Sequence, residues 1–335
     1  MAAGFKTATV NATDVPSTQT DFSSYVDLDR LGVTTLAEAQ SIRVYADEAK
    51  TVEWAREIVS ATEMHVKVPS LTSTVDIYVD WDGVRSDYAT TATYGAEAVW
   101  SDYELVSHDG GGTDSAGNYT PSANGGVTIG GATGKIGNAT DFDGSNDYID
   151  LGNLRLITSE SNTHSVSMWF QWDATNGVVD YIYSSSSGSN DRATINIDTR
   201  AGLKYFSASV YDGSFTGKSA PQTDLDFVNY FHTAYSYNAS LGSIDVWLNS
   251  TALTGNDSTG TSSATHSNIS GRANGDFLFN GRTDEFRVRE SVYAADWITT
   301  EYNNQNDEAA FWGTWTDAGG APAAQTARRG VIMMM

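Results

Sequence analysis

The sequence contains no cysteine among its 335 residues. This absence excludes a disulfide framework, a thiolate metal site and a cysteine nucleophile. Residues 1–20 contain no apolar segment behind a basic start, so we expect no secretory signal. No stretch approaches the ~20 apolar residues of a membrane-spanning helix. We therefore expect the protein to leave the cell by a route other than secretion, such as release on a virus particle at lysis.

Basic residues are also scarce. Lysine and arginine together number 19 against 42 aspartates and glutamates, and the formal net charge is -23. This charge argues against a nucleic-acid groove or an anionic membrane surface as a partner. It has two interpretations: a hydrated acidic surface of ordinary kind, or a halophilic adaptation in which high salt screens the repulsion between carboxylates.

Aromatic residues make up 11% of the chain, and 31 glycines punctuate it. Short segments alternate apolar with polar side chains, as half-buried strands do, and 74–81 is the clearest of them. Only 36–40 and 294–302 have helical patterns. The sequence thus predicts an all-β fold. The predicted units are a small N-terminal β-sandwich (1–93), a jelly-roll domain (94–315) and a C-terminal tail (316–335) that could be a docking segment.

Five strand-like segments follow one another along residues 5–85: Tyr25-Val26-Asp27-Leu28, Ile42-Arg43-Val44-Tyr45, Glu53-Trp54, His65-Val66-Lys67-Val68-Pro69 and Asp76-Ile77-Tyr78-Val79. In this order they resemble a domain of unknown function that precedes laminin-G-like modules in bacterial, archaeal and phage proteins. The resemblance implies a sandwich fold and no particular activity. Pro69 cannot donate to a sheet ladder, so we expect it to end its strand.

Residues 96–315 contain a second set of motifs: Gly134-Lys135-Ile136-Gly137, Phe142-Asp143-Gly144, Asp147-Tyr148-Ile149, Ser165-Val166-Ser167-Met168-Trp169-Phe170, Asp245-Val246-Trp247-Leu248-Asn249 and the closing run 279–288. These resemble a laminin-G-like, concanavalin-A-like domain, which implies an antiparallel jelly roll. We expect 99–108 to be its first strand. Residues 109–134, which are rich in Gly, Ser, Asn and Thr, are expected to form a long surface loop.

Acidic side chains crowd one corner of the second domain. Oxygen ligands from Asp, Asn and backbone carbonyls suit Ca²⁺. In concanavalin-A-like sandwiches an Asp that opens the last strand often binds a structural calcium, and the resemblance implies this role for Asp284. The alternative is an Asp-rich turn that caps its own backbone N–H groups. The predicted calcium ligands are Asp141, Asp143, Asn146, Asp147 and Asp284.

The sequence has no recognisable pattern for hydrolysis. Some enzymes of this sandwich fold carry Glu-x-Asp-x-x-Glu on a central strand, which is absent here. Asp284 and Glu285 are adjacent, so we expect them to point to opposite faces of a strand. No Gly-x-Ser-x-Gly turn occurs, and histidines 65, 108, 164, 232 and 266 lie in separate segments. We predict that the protein is not an enzyme.

Glycan binding would use aromatic faces and Asn or Asp side chains at loop tips. Tyr211 and Asp212, in the turn before Gly213, are the predicted ligand-binding residues. Alternation assigns most of the remaining aromatic candidates to the core. These candidates are Trp172, Tyr181, Tyr183, Tyr205 and Trp247.

The last residues combine two arginines with an apolar end. They are either a frayed terminus or a segment that docks the chain onto a partner. The predicted docking residues are Arg328, Arg329, Val331, Ile332, Met333, Met334 and Met335.

Together these features predict a non-enzymatic protein of a virion surface, such as a tail fibre, head spike or turret. Its partners would be other virion proteins and copies of itself, and its lectin-like domain would bind a host surface glycan. The alternatives are a prokaryotic cell-surface adhesin or glycan-binding module and, third, a carbohydrate-active enzyme.

Overall fold

The computed structural model describes residues 3–155, 157, 163–173, 179–187, 190–200, 202–211, 215–222, 225–257, 266–272 and 275–319. These residues form antiparallel sheets with a few short helices, which confirms the predicted all-β class. The predicted docking residues 328–335 lie outside the described residues. No helix in the described ranges has both the length and the apolar character needed to cross a membrane.

The first unit is a sandwich of a five-stranded and a three-stranded sheet. The larger sheet has the order β24-β1-β7-β3-β4, in which β24 (Thr316–Asp317) comes from the C-terminal end of the described residues. The smaller sheet has the order β2-β6-β5. A 3₁₀ turn at Leu28–Leu31 follows β2. The elements are β1 (Gly4–Thr9), β2 (Gln19–Asp27), α1 (Leu36–Gln40), β3 (Arg43–Tyr45), β4 (Glu53–Trp54), β5 (Arg56–Ile58), β6 (Glu63–Leu71) and β7 (Asp76–Trp81).

Helix α1 confirms the predicted helix at 36–40, with the Thr35 side chain accepting from the Glu38 N–H as its N-cap. The expectation that Pro69 ends its strand is wrong, because β6 continues to Leu71. Thr20 pairs with Ser70 and Phe22 with Val68, so Pro69 falls where the ladder is interrupted. Asp21, on the opposite strand, has a φ of 52°. A proline is tolerated at such an irregularity because no ladder bond needs its missing N–H.

The second unit is a jelly roll of two eight-stranded sheets. One has the order β10-β11-β23-β13-β18-β19-β20 with β8 also on β23, and the other has the order β21-β17-β16-β15-β14-β22-β12-β9. The elements up to β16 are α2 (Ala96–Val99), β8 (Tyr103–Ser107), β9 (Ser122–Asn124), β10 (Thr128–Thr133), β11 (Asn138–Asp143), β12 (Tyr148–Asp150), β13 (His164–Trp172), β14 (Val179–Ser187), β15 (Asn190–Arg200) and β16 (Leu203–Tyr211). The later ones are β17 (Phe215–Pro221), β18 (Tyr230–Asn238), β19 (Ser243–Leu248), β20 (Thr251–Ala252), β21 (Asn256–Asp257), β22 (His266–Ile269), β23 (Asn280–Arg289), α3 (Ala295–Asn306) and α4 (Glu308–Phe311).

Two expectations at the start of this unit are corrected. The segment 99–108 is not one strand, because α2 precedes β8. The segment 109–134 is not only a loop, because β9 pairs with β12 and β10 pairs with β11. Glycine-rich β10 contains Gly130 with a φ of 63°, and such residues obscure a strand pattern in the sequence.

The C-terminal helices join the two units. The aromatic rings of Trp297 on α3 and Phe22 on β2 lie 5.1 Å apart. Trp312 donates from its indole nitrogen to Ser24 at 3.2 Å. Beyond α4, the short strand β24 pairs with β1 in the first sandwich. Apolar side chains of the first unit, of α3 and of the jelly-roll sheet therefore share one core.

Glu308 on α4 is a buried carboxylate at this junction, and it forms an ion pair with Arg30. Its Oε1 has no hydrogen-bond partner in the described structure. Burial, which outweighs the attraction of Arg30, raises the pKa of Glu308 from 4.5 to about 7.

Because folding raises this pKa, protonated Glu308 stabilises the folded state. Its contribution to the unfolding free energy is complete below pH 4.5 and is lost as the pH rises through about 7. Relative to Glu308→Gln, the wild-type chain should lose up to about 3 kcal/mol of unfolding free energy over this range. Urea denaturation of both proteins between pH 4.5 and 8 measures the difference. A difference that does not change with pH would contradict the assignment.

Candidate functional site

Four side chains from both units meet at the junction. Met64 and Val66 of β6 point into the core of the first sandwich, so Glu63 and His65 point to the opposite face of that strand. The jelly roll covers this face and contributes His108, which follows β8, and Glu285 of β23. All four are buried, and this is the one group of three or more His, Asp or Glu side chains that converges within the described part of the chain.

A β-bulge positions Glu285. Between β13 and β23, Ser167 pairs with Arg287 and Trp169 with Asp284, so two residues of β23 oppose one of β13. Glu285 has a φ of 51°, a left-handed conformation that is costly for a residue other than glycine. Bulges redirect side chains and recur next to functional sites. The expectation that Asp284 and Glu285 point to opposite faces assumed regular alternation, which the bulge interrupts.

The polar atoms of the four residues lie close together. His65 Nε2 is 3.1 Å from Glu63 Oε1 and 3.7 Å from Glu285 Oε1. His108 Nδ1 is 2.9 Å from Glu285 Oε1 and 3.7 Å from Glu63 Oε1. The two imidazole rings stack with their centroids 4.3 Å apart. His65 Nδ1 has no partner among the described atoms, so the polar contacts of His65 lie on its Nε2 side.

A second layer of polar groups surrounds these four. Glu57 of β5 lies 3.0 Å from His108 Nε2 through its Oε2, and accepts from the Ser115 hydroxyl at 2.6 Å through its Oε1. The Trp100 indole nitrogen also donates to Glu57. On the other side, Arg287 pairs with Glu285 and, at 3.0 Å, with Glu301 of α3. Charges therefore alternate in sign from the first sandwich to the C-terminal helix.

The pKa values follow from this arrangement. Burial opposes charge on His108, but Glu285 and Glu57 on either side hold its pKa well above the usual range. Burial likewise opposes ionisation of Glu57, yet attraction and a hydrogen bond from His108 lower its pKa to about 2. Burial raises the pKa of Glu63 to about 8, with repulsion from Glu285 and Glu57 adding to it. The pKa of His65 is lowered, first by burial and then by His108. The cluster thus contains more acidic groups than its cations neutralise.

A cleft of about 640 Å³ opens beside the cluster. The β5–β6 hairpin forms one wall, the segment 108–115 forms another, and the start of β11 closes the third side. Glu57, Glu63 and His108 reach its inner end. The other lining residues are Ile58, Val59, Ser60, Thr62, Asp109, Thr113, Ser115, Gly137 and Asn138.

The residues predicted to bind calcium make local contacts in this structure. Asp143 accepts from the Ser145 N–H at 2.7 Å, and Asp147 accepts from the Asp143 N–H at 3.3 Å. Asn146 donates to the Gly125 carbonyl at 2.8 Å. These contacts fit a turn that caps its own backbone, which is the alternative raised from the sequence.

The other two predicted ligands also have protein partners. Asp141 is exposed and pairs with Arg282 at 3.1 Å. Asp284 is buried and accepts from the Ile136 N–H at 2.9 Å, while its other oxygen has no partner among the described residues. Burial, together with repulsion from Glu285, raises the pKa of Asp284 well above its usual value. Calcium binding at these residues stays a prediction.

The predicted glycan-binding pair is only partly within the structure. Tyr211 ends β16, whereas its side chain and the whole of Asp212 lie outside the described residues. Among the other aromatic candidates, Trp172, Tyr183 and Trp247 are buried, which confirms their assignment to the core.

The convergence of His65 and His108 was missed at the level of sequence, where the histidines looked scattered. The available signal was the run Glu63-Met64-His65, which places an acid and an imidazole on one face of a strand. Alternation predicts a half-buried strand here, and a single sandwich considered by itself would leave the polar face of that strand in water.

Comparisons with known proteins do not assign a family. No family model and no curated protein matches the chain. Solved structures with similarity include the binding domain of botulinum neurotoxin serotype D/C VPI 5993 (12% identity, TM-score 0.46) and the receptor-binding domain of the botulinum neurotoxin C/D mosaic serotype (14%, 0.47). In both cases the match covers 61% of this chain and 52% of the neighbour, about half its length. The architecture above rests on the strand pairing of the chain itself.

The buried position of Arg287 gives a direct test of the charge network. Replacing Arg287 by Met removes the guanidinium that Glu285 and Glu301 share in a water-poor interior, which should cost about 3–5 kcal/mol of unfolding free energy. The matched control is Arg155→Met, since Arg155 pairs with Glu290 at the surface, where the effect should stay below ~1 kcal/mol. Denaturant titration of both variants measures the difference, and equal losses would contradict the account.

Proposed function

We propose that this chain is a non-enzymatic binding module of a virion surface protein, and that it binds a glycan in the cleft between its two units. The observation that carries the proposal is the cleft of about 640 Å³ with its polar lining. Concave sites of this size bind small molecules, and a few placed polar groups orient the ligand.

The lining suits a polyhydroxylated ligand. Thr62, Thr113 and Asn138 are exposed at the walls, and their hydroxyl and amide groups can both donate and accept hydrogen bonds. Ile58 and exposed Val59 add an apolar strip against which the C–H face of a sugar ring can lie. This combination matches the apolar face and hydroxyl rim of a saccharide.

The charge of the cleft favours a neutral glycan. Glu57 and Asp109 line it, and the chain carries a net charge of -23. An anionic sugar would be repelled both on approach and in the bound state. A neutral oligosaccharide avoids this repulsion.

Hydrolysis is the second candidate, because Glu57 and Glu63 both reach the cleft with pKa values of about 2 and about 8, a separation typical of acid–base pairs. The contacts of Glu57 favour binding instead. Its two oxygens are held by Trp100, His108 and Ser115, so it is a poor nucleophile or base for a water molecule in the cleft.

The wider setting is part of the same proposal. The acidic, all-β chain would project from a tail fibre, head spike or turret, with residues 328–335 docking it to other virion proteins or to copies of itself. A cell-surface adhesin with the same cleft is the alternative. Antibody labelling of purified particles, with uninfected cell surfaces labelled in parallel, separates the two settings.

A printed array of neutral and sialylated oligosaccharides tests ligand binding by the full chain. We expect binding to neutral members, without release of new reducing ends on prolonged incubation. Thr113→Val and Asn138→Ala should each weaken binding about tenfold, the effect of about one lost hydrogen bond. The matched control, Thr251→Val on exposed β20, should leave the affinity unchanged.

Binding that is insensitive to both cleft variants would overturn the placement of the glycan site. A failure to bind any array member would overturn glycan binding itself. Reducing-end release that depends on Glu63 would favour the hydrolase instead.

A further inference from the structure

The four converging atoms have the spacing of a metal coordination shell. A tetrahedral ion with bonds of ~2.0–2.2 Å to nitrogen and oxygen separates its ligand atoms by about 3.3–3.6 Å. The four distances that join His65 Nε2 and His108 Nδ1 to Glu63 Oε1 and Glu285 Oε1 run from 2.9 to 3.7 Å. All the ligand atoms lie within 4.8 Å of one another. Small side-chain adjustments would bring them around one ion.

The surroundings are those of a metal site as well. Glu57 is placed at His108 Nε2, so it can accept the proton of that nitrogen while Nδ1 faces the cluster centre. This carboxylate–imidazole arrangement fixes the tautomer and orientation of a ligating histidine. Arg287 holds the other oxygen of Glu285 and thereby orients that ligand in the same way.

The backbone at Glu285 supports the inference independently. A glutamate with a φ of 51° in a bulge carries conformational strain, and strain of this kind is concentrated at active sites and ligand-binding sites. From this bulge, Glu285 Oε1 lies 3.7 Å from His65 Nε2 and 2.9 Å from His108 Nδ1. Opposite it, Gly137 leaves space for Glu63, since a Cβ at that position would lie 2.5 Å from Glu63 Oε2.

The donor set selects the class of ion. Two imidazoles and two carboxylates without thiolates suit zinc and related divalent transition metals. Calcium takes 6–8 oxygen ligands, which these four side chains do not supply. Four protein ligands complete a tetrahedron, and a closed shell of this kind is typical of structural rather than catalytic sites.

We propose that Glu63, His65, His108 and Glu285 bind one divalent transition-metal ion of the zinc class, which fastens the first sandwich to the jelly roll. Two ligands come from β6 of the first unit and two from the jelly roll, so the ion cross-links the units. Glu63 and His108 also line the inner end of the cleft, but the metal site uses none of the hydroxyl and amide groups of its walls and does not depend on glycan binding.

The test uses the full chain, stripped with a chelator and then dialysed against Zn²⁺. Elemental analysis should give one zinc per chain, and Co²⁺ in its place should give the intense visible absorption of a tetrahedral ion. Zinc should raise the melting temperature of the stripped protein, because it binds the folded state. Ca²⁺ at the same concentration should not.

Glu63→Gln is the key variant, because the amide keeps the shape and the hydrogen bond to His65 while removing the anionic ligand. This variant should fold and melt like the stripped wild-type chain, but its zinc affinity should fall by more than about 100-fold, beyond the loss seen for outer-shell partners. His266→Gln is the matched control, because it removes an exposed imidazole outside the cluster and should leave the stoichiometry and affinity unchanged.

Three results would overturn the proposal: no stoichiometric zinc in the wild-type chain, equal zinc affinity of Glu63→Gln and the wild type, or loss of zinc on His266→Gln. In each case the four residues would form a hydrogen-bonded network and not the zinc site of the protein.

Discussion

The structure depends on one buried row of alternating charges that crosses the junction between its two units. Glu57, His108, Glu285, Arg287 and Glu301 follow one another from β5 to α3, each in contact with the next. Such groups are costly to bury unless each is paired. Glu57 comes from the first sandwich, whereas the other four residues belong to the jelly roll and its C-terminal helix. Because the Glu57–His108 pair forms only when the first sandwich lies on the jelly roll, the network favours one relative placement of the units.

That placement creates the cleft. Its walls belong to different units, so neither sandwich would form it alone. Apolar contacts supply most of the binding energy of the junction, through the aromatic core that α3 shares with the first sandwich. The polar cluster fixes the relative orientation of the two units, and a metal ion bound there would make the junction more rigid. A rigid junction presents the exposed hydroxyl and amide groups of the cleft in a fixed arrangement, which lowers the entropic cost of ordering these groups around a ligand.

The sequence predicts elements better than it predicts the site. Strand β7 (Asp76–Trp81) lies within the predicted segment 74–81, because its buried and less buried side chains alternate along the chain. Strand β17 (Phe215–Pro221) was missed, since glycine and proline conceal its pattern. The cluster could not be predicted from any local sequence pattern, because its residues meet only in the tertiary structure. His108 and Glu285 are 177 residues apart, the polar face of β6 is covered by another unit, and a glutamate with positive φ leaves no trace in composition.

The central claim is that the two units form one cooperative structure. Differential scanning calorimetry of the chelator-stripped full chain tests it most directly, because it measures how many transitions occur and how cooperative each one is. The account predicts a single transition whose calorimetric and van't Hoff enthalpies agree. Two separate transitions, each with the enthalpy expected for an independent sandwich, would contradict it.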